Sequence, residues 1–163
     1  MLEKCRTAQE RWGGVSEIID HWLEERQQLI SNFVALPQKN VADDLTNHIK
    51  EFSQVLMDYI SSGHFEVYEQ LLKEGGEFND GSLEKAQGLF PKIQVSTDIA
   101  LDFNDSYSIF DGQTLKDMHE LTVQLSTLGE ALEERFSLED QMIEVLHTAH
   151  RDQVFAEAQE SQE

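Results

Sequence analysis

Only two prolines, Pro37 and Pro91, interrupt the 163 residues of this chain. Proline fixes φ and removes a backbone donor, so it ends helices and is confined to the edges of sheets. A chain this long with so few breakers can run in long helices. Its apolar residues recur at steps of three and four, the period of an amphipathic helix. No segment alternates apolar and polar residues as a half-buried strand does. The pattern predicts an all-α fold.

The first helix is expected from about Ala8 to Ala35. Val15, Ile18, Ile19, Trp22, Leu23, Leu29, Ile30, Phe33 and Val34 form one broad stripe on it. Leu36-Pro37 stops it, because the residue before proline avoids helical angles. A second helix, about Asp43 to Ser62, carries Leu45, Ile49, Phe52, Leu56, Tyr59 and Ile60. Gly63 is placed as its left-handed C-terminal stop. A short third helix follows from about Phe65 to Lys73, and the run from Gly75 to Gly81 reads as a flexible connection. Ser82 is a good N-cap for a short helix ending at Phe90-Pro91. The next helix runs from about Lys92 to Asn104, with Pro91 suited to its first position. Asp111-Gly112 is a turn. The longest helix then spans about Thr114 to His150, with Gly129 as a point of close helix crossing or kinking. The result is an antiparallel helical bundle with short accessory helices and one long C-terminal helix. Residues 1–150 are expected to be one domain and 151–163 a frayed acidic tail.

Thirty-two acids stand against 12 Lys and Arg, a formal net charge of -20. Phosphates need Lys and Arg to replace their counterions, so direct nucleic-acid binding is disfavoured. A chain this acidic is drawn to cationic surfaces, and such steering raises association rates. No run of about 18 apolar residues exists to span a membrane. The polar stretch from Met1 to Arg11 lacks a secretory signal core. Cys5 is the single cysteine, so no internal disulfide forms, which suits a reducing cytoplasm.

Nothing reads as an enzyme. Gly13-Gly14 and Gly75-Gly76 lack the spacing of phosphate loops. Cys5 has no evident base, so covalent catalysis lacks an apparatus. A di-iron bundle needs two Glu-x-x-His pairs, and Glu144 to His147 is the one pair found. His147 and His150 share a face, but zinc expects three or four converging ligands, and a polar helix surface explains them more simply. No metal or cofactor is expected.

The residues that exceed what a plain bundle needs cluster in Asp58-Tyr59-Ile60-Ser61-Ser62-Gly63-His64-Phe65-Glu66-Val67-Tyr68-Glu69. A corner between helices needs only spacers, yet this one concentrates Asp, Tyr, His and Glu. Arg26 falls on the inward stripe between Trp22 and Leu29 and needs a carboxylate there, with Asp58 or Glu69 as candidates. A second cluster runs from Leu128 to Asp140. In it Glu130, Glu133 and Glu134 share a face, which reads most simply as the solvated side of a long helix.

Both clusters, with Arg11-Trp12-Gly13-Gly14 and Ile19-Asp20-His21-Trp22-Leu23-Glu24-Glu25-Arg26, resemble the Rsd/AlgQ family of anti-sigma-70 regulators. The likeness runs from about residue 11 to residue 146. Gly13-Gly14 is closer to the AlgQ branch, which is linked to alginate and siderophore genes. The resemblance implies a four-helix core. It also implies binding to the C-terminal domain of the primary sigma factor, a helix-turn-helix module that reads the promoter's -35 element. A DNA-reading surface is basic. An acidic protein that occupies it blocks promoter contact and can hide the surface that grips core polymerase. By matching position, the expected partner-binding residues are Asp20, Trp22, Asp58, Tyr59, His64, Phe65, Tyr68 and Glu69, with Arg26 in a structural polar network. The protein is expected to be a cytoplasmic monomer without membrane contact. Two rivals stay open at this stage: a metal-binding helical bundle, and an interaction module for another cytoplasmic regulator.

Overall fold

In a computed structural model of the chain, the backbone is described for residues 2–36, 44–107 and 115–151, and side chains for 15–36, 45–107 and 119–151. Every element there is a helix. They are α1 (Leu2–Ala35), α2 (Asp44–Ser62), α3 (Tyr68–Gly75), α4 (Ser82–Gln87), α5 (Phe90–Tyr107) and α6 (Leu115–Ile143). A π-helical turn at Gly63–Val67 joins α2 to α3, and another at Glu144–Thr148 extends α6. The Pro37 stop, the Asp111-Gly112 turn, the tail beyond Arg151, and the side chains of Cys5 and Arg11 to Gly14 fall outside the described residues.

The four long helices α1, α2, α5 and α6 build the core. Contacts run in opposite senses along neighbouring pairs. Along α1 and α6, Ser16 meets His147, Arg26 meets Asp140, and Phe33 meets Gly129. Along α1 and α2, Trp22 stacks on Tyr59 and Phe33 packs on Phe52. Ser53 bonds Asn104 across α2 and α5. One end of the bundle is filled by aromatic rings, with Phe52 edge-on to Phe103 at 5.7 Å and Phe103 against Tyr107 at 4.7 Å. The antiparallel bundle and its long final helix match the sequence pattern.

The corner at residue 63 does not exist as expected. Gly63 has no left-handed φ; among the described glycines only Gly81 does, at 86°. The chain stays helical from Asp44 through Gly75, with one turn widened. A Cβ at Gly63 would lie 3.4 Å from the Trp22 ring and from the Tyr68 ring and hydroxyl, in ordinary van der Waals contact, so both aromatics pack closely over this backbone. The widened turn re-aims Tyr68. In a regular helix, Tyr59 and Tyr68 would point about 180° apart, at about 100° per residue. One extra residue wound into a π turn brings them to about 80°. Both then face the bundle interior.

The stretch after α3 also differs. Gly75 is not a flexible spacer but the buried last residue of α3. A Cβ on it would overlap the side chain of Leu146, which is fully buried. The reverse turn lies further on, where Asp80 accepts a hydrogen bond from the backbone N–H of Ser82 and opens α4. Gly81, not Ser82, precedes that helix, and Phe90 begins α5 rather than ending α4. Gly129 is, as expected, a close crossing: a Cβ would lie 2.8 Å from Phe33 Cζ.

Gly75→Ala therefore overpacks the core at Leu146. Despite alanine's better helix propensity, it is expected to cost about 1–3 kcal/mol. Urea denaturation of the variant checks this; unchanged stability would show that Leu146 yields freely.

Candidate functional site

A single carboxylate organises the centre of the bundle. Glu139 on α6 has a fully buried side chain. It accepts hydrogen bonds from the Tyr59 hydroxyl, at 2.7 Å, and from the Tyr68 hydroxyl. Each hydroxyl in turn accepts from an arginine. Arg26 Nε donates to Tyr59 Oη at 3.0 Å, and Arg135 Nη2 donates to Tyr68 Oη at 3.1 Å. The guanidiniums also face Glu139 directly, Arg135 Nε at 3.4 Å and Arg26 Nη2 at 3.6 Å. Arg26 extends outward to Asp140 at 2.7 Å. Arg135 reaches α5, donating to Thr97 Oγ1 at 2.7 Å and Ser96 Oγ at 3.0 Å. Unpaired buried charges are costly; here each has an opposite charge and hydroxyl partners. Arg26 lies on the Trp22 ring on one side and the Phe136 ring on the other, 5.2 and 4.9 Å from their centroids.

Burial pushes the Glu139 carboxyl up, while Arg135, the two hydroxyls and Arg26 oppose it. Burial and the Glu139 charge push both tyrosine hydroxyls far up, so they remain donors.

Above this network sits the π turn. His64 Nε2 lies 3.1 Å from Thr97 Oγ1, the same hydroxyl that Arg135 holds. Burial and then the Arg135 charge lower the His64 pKa. Trp22 Nε1–H donates to the Tyr59 carbonyl at 3.3 Å, tying α1 to the last turns of α2. With its underside fixed, the turn presents Phe65 outward at 76% exposure. Asp58, Glu66 and Glu69 are exposed on the same continuous helix. Between this helix and α1 runs a cleft of about 370 Å³, lined by Glu17, His21 and Glu25 on one side and Ser62 and Glu66 on the other, with Ile18 and Trp22 at its floor.

The expected site residues divide into two sets. Asp58, Phe65 and Glu69 are exposed, with half-exposed His64 beside them. Trp22, Tyr59 and Tyr68 are not at the surface: they are 1%, 0% and 2% exposed and support the turn from beneath. Asp20 is exposed but stands toward α6, where its charge acts on His147. It is not brought to the Phe65 cluster; Glu17, His21 and Glu25 occupy that flank instead. Arg26 is in the polar network as expected, but its carboxylates are Glu139 and Asp140, not Asp58 or Glu69. Asp58 accepts from Gln54 on its own helix. Helical spacing carried a signal for the missed pair. Arg135 and Glu139 occupy inward steps between Leu132 and Met142, as Arg26 does between Trp22 and Leu29.

His147 and His150 are buried rather than on a polar surface. His147 meets Ser16 Oγ at 3.3 Å. His150 bonds Asp80 at 2.8 Å and stacks flat on Phe78. Among the described residues, no three His, Cys, Asp or Glu side chains gather as metal ligands. No described helix is long and apolar enough to cross a membrane.

A family model described as "Regulator of RNA polymerase sigma(70) subunit, Rsd/AlgQ" matches residues 1–147. The chain belongs to the Rsd/AlgQ family. Relatives named "Regulator of sigma D" agree with it. That of Yersinia enterocolitica is 31% identical over 149 residues, 88% of this chain and 89% of the relative. That of Enterobacter sp. strain 638 is 34% identical over 148 residues, 88% of each. No solved structure matches the chain significantly. The Rsd/AlgQ chain is thus a regulator of the sigma-70 subunit, and the helix that bares the Phe65 ring also exposes Asp58, Glu66 and Glu69.

Two outcomes follow for this site. Glu139→Gln leaves Arg135 buried without its carboxylate and is expected to cost about 3–5 kcal/mol, lowering Tm by roughly 10 °C; a thermal melt measures it. His64 and His147 have folded pKa values below their ordinary 6.5. The unfolded state therefore binds more protons just below that pH, and stability from these groups is lost as pH falls through 6.5. Between pH 7.5 and 5.5 the parent chain is expected to lose more stability than His64→Asn, and parallel curves would contradict this.

Proposed function

We propose that this chain is an anti-sigma factor that works by stoichiometric binding, without catalysis and without a cofactor. Its target is the C-terminal domain of the housekeeping sigma factor, and its workplace is the cytoplasm, where that factor operates. The observation that carries this reading is the π turn. It sets Phe65 out in water on the helix that also exposes Asp58, Glu66 and Glu69, beside the acidic cleft along α1. An exposed aromatic ring within a charged rim is the usual form of a protein-binding hot spot. The sign of the rim suits a domain whose DNA-reading surface must be basic. Occupying that surface would deny it to the promoter's -35 element, and the same occupancy would compete with core polymerase.

In this reading Phe65, His64, Asp58 and Glu69 contact the partner, while Trp22, Tyr59 and Tyr68 hold the contact residues in place. The protein acts as a monomer, residues 1–150 as its single domain and 151–163 as an appended tail, without touching nucleic acid or membrane.

The test is calorimetric titration with the isolated C-terminal domain of the housekeeping sigma factor. One-to-one binding is expected, weakening as salt rises, because the Debye length falls from about 10 Å at 0.1 M to about 3 Å at 1 M. Phe65→Ala is expected to cost about 2 kcal/mol of binding or more without lowering Tm. Absence of binding by the parent chain would refute the proposal, and full affinity in Phe65→Ala would move the contact elsewhere.

A further inference from the structure

The buried hydroxyl of Thr97 on α5 has three polar neighbours, and together they fix where a surface imidazole carries its proton. Oγ1 donates its one proton to the Ile93 carbonyl at 3.2 Å and accepts from Arg135 Nη1 at 2.7 Å. A carbonyl only accepts and a guanidinium only donates. The third neighbour, His64 Nε2 at 3.1 Å, therefore brings its own proton to the remaining lone pair. Neutral His64 is thus the Nε2–H tautomer, and its Nδ1 keeps a lone pair. Among the described residues nothing bonds Nδ1, and it is not one of the buried unpaired atoms, so it reaches solvent next to Phe65. Thr97 from α5 and Tyr68 from α3, edge-on at 5.0 Å between centroids, pack on the ring. Arg135 from α6 stands behind the Thr97 hydroxyl, and Asp58, Glu66 and Glu69 are exposed on the ring's own helix. Burial and the Arg135 charge favour the neutral ring.

We propose that His64 is a specificity-determining contact: its Nδ1 accepts a hydrogen bond from a lysine or arginine N–H of the basic partner, and Thr97 is the positioning residue that keeps this lone pair outward. The inference rests on the sigma-domain reading and adds a direction to it. Exposed carboxylates such as Asp58 and Glu69 accept from any cation that approaches, so they set the sign of the partner. One imidazole lone pair is a single directional acceptor, so it also sets where the partner's donor must stand. A partner with a carbonyl or carboxylate there would set two acceptors against each other. Protonation turns the acceptor into a donor and adds a like charge. Binding is therefore present while His64 is neutral and is lost as pH falls through its folded pKa, which lies below 6.5.

The test is calorimetric titration of the full chain, His64→Asn and His64→Gln with the isolated C-terminal domain of the housekeeping sigma factor, at pH 7.5 and 5.5. Circular dichroism verifies that each variant is folded. The Asn oxygen stands near the place of Nδ1, whereas the Gln amide stands near that of Nε2. At pH 7.5 His64→Asn is expected to bind within about twofold of the parent and His64→Gln about tenfold more weakly, the worth of one charge-assisted hydrogen bond. At pH 5.5 the parent is expected to weaken severalfold and His64→Asn to hold its affinity; exposed carboxylates titrate below this window. Long-range proton–nitrogen NMR spectra of the free chain read the tautomer: Nε2–H in the parent and in Thr97→Ser, a mixture in Thr97→Val. Equal affinity of His64→Asn and His64→Gln, the same pH dependence in parent and His64→Asn, or an Nδ1–H parent each overturns this contact and leaves the sigma-domain reading standing. Absence of binding by the parent refutes that reading, and this contact with it.

Discussion

Glu139 is a carboxylate with no exposed surface, placed where side chains from α1, α2, α3 and α6 converge. Such a group is tolerated only when its partners are complete. Here they come from far along the chain: Tyr59 and Tyr68 as hydroxyl donors, Arg26 and Arg135 as charges. Each hydroxyl passes a hydrogen bond from arginine to carboxylate. This arrangement fixes distances among the four helices more narrowly than apolar packing alone, because hydrogen bonds are directional. The aromatic end of the core around Phe52 and Phe103 supplies burial; the Glu139 end supplies register.

The π turn follows from that constraint. Two tyrosines nine residues apart reach one carboxylate only if a turn between them is widened. Trp22 and Tyr68 close on the backbone of the widened turn at Gly63. The outer side of the same turn carries Phe65. Interior polar chemistry and exposed surface are thus two sides of one five-residue segment. The residues of the family pattern fall on both sides, which explains why Tyr59, Tyr68 and Trp22 sit in it although partners cannot reach them.

The fold was largely legible in the sequence, because helical spacing and two prolines leave few alternatives. Gly63 misled: a glycine after an amphipathic run reads as a stop, yet the helix runs on through it, packed against Trp22 from 41 residues earlier. Gly75 misled in the same way, through Leu146. An inward Arg26 was legible, but its partner was not. Asp58 is close in sequence and faces water, whereas Glu139 is over a hundred residues away. Pairing of that range depends on how helices assemble, which local periodicity does not encode. Arg135 and Glu139 were readable as charges at core steps of α6. The acidic surface was legible as composition, but which acids border the cleft along α1 depended on the packing.

The link between the buried network and the exposed turn is tested most directly by titrating the Tyr68→Phe variant with the isolated C-terminal domain of the housekeeping sigma factor. Tyr68 is 2% exposed and cannot itself meet a partner. Loss of its hydroxyl frees the turn from Glu139. Binding is predicted to weaken roughly tenfold at a temperature where the variant is still fully helical, comparable to one lost charge-assisted hydrogen bond. Unchanged affinity would contradict the dependence of the surface on Glu139.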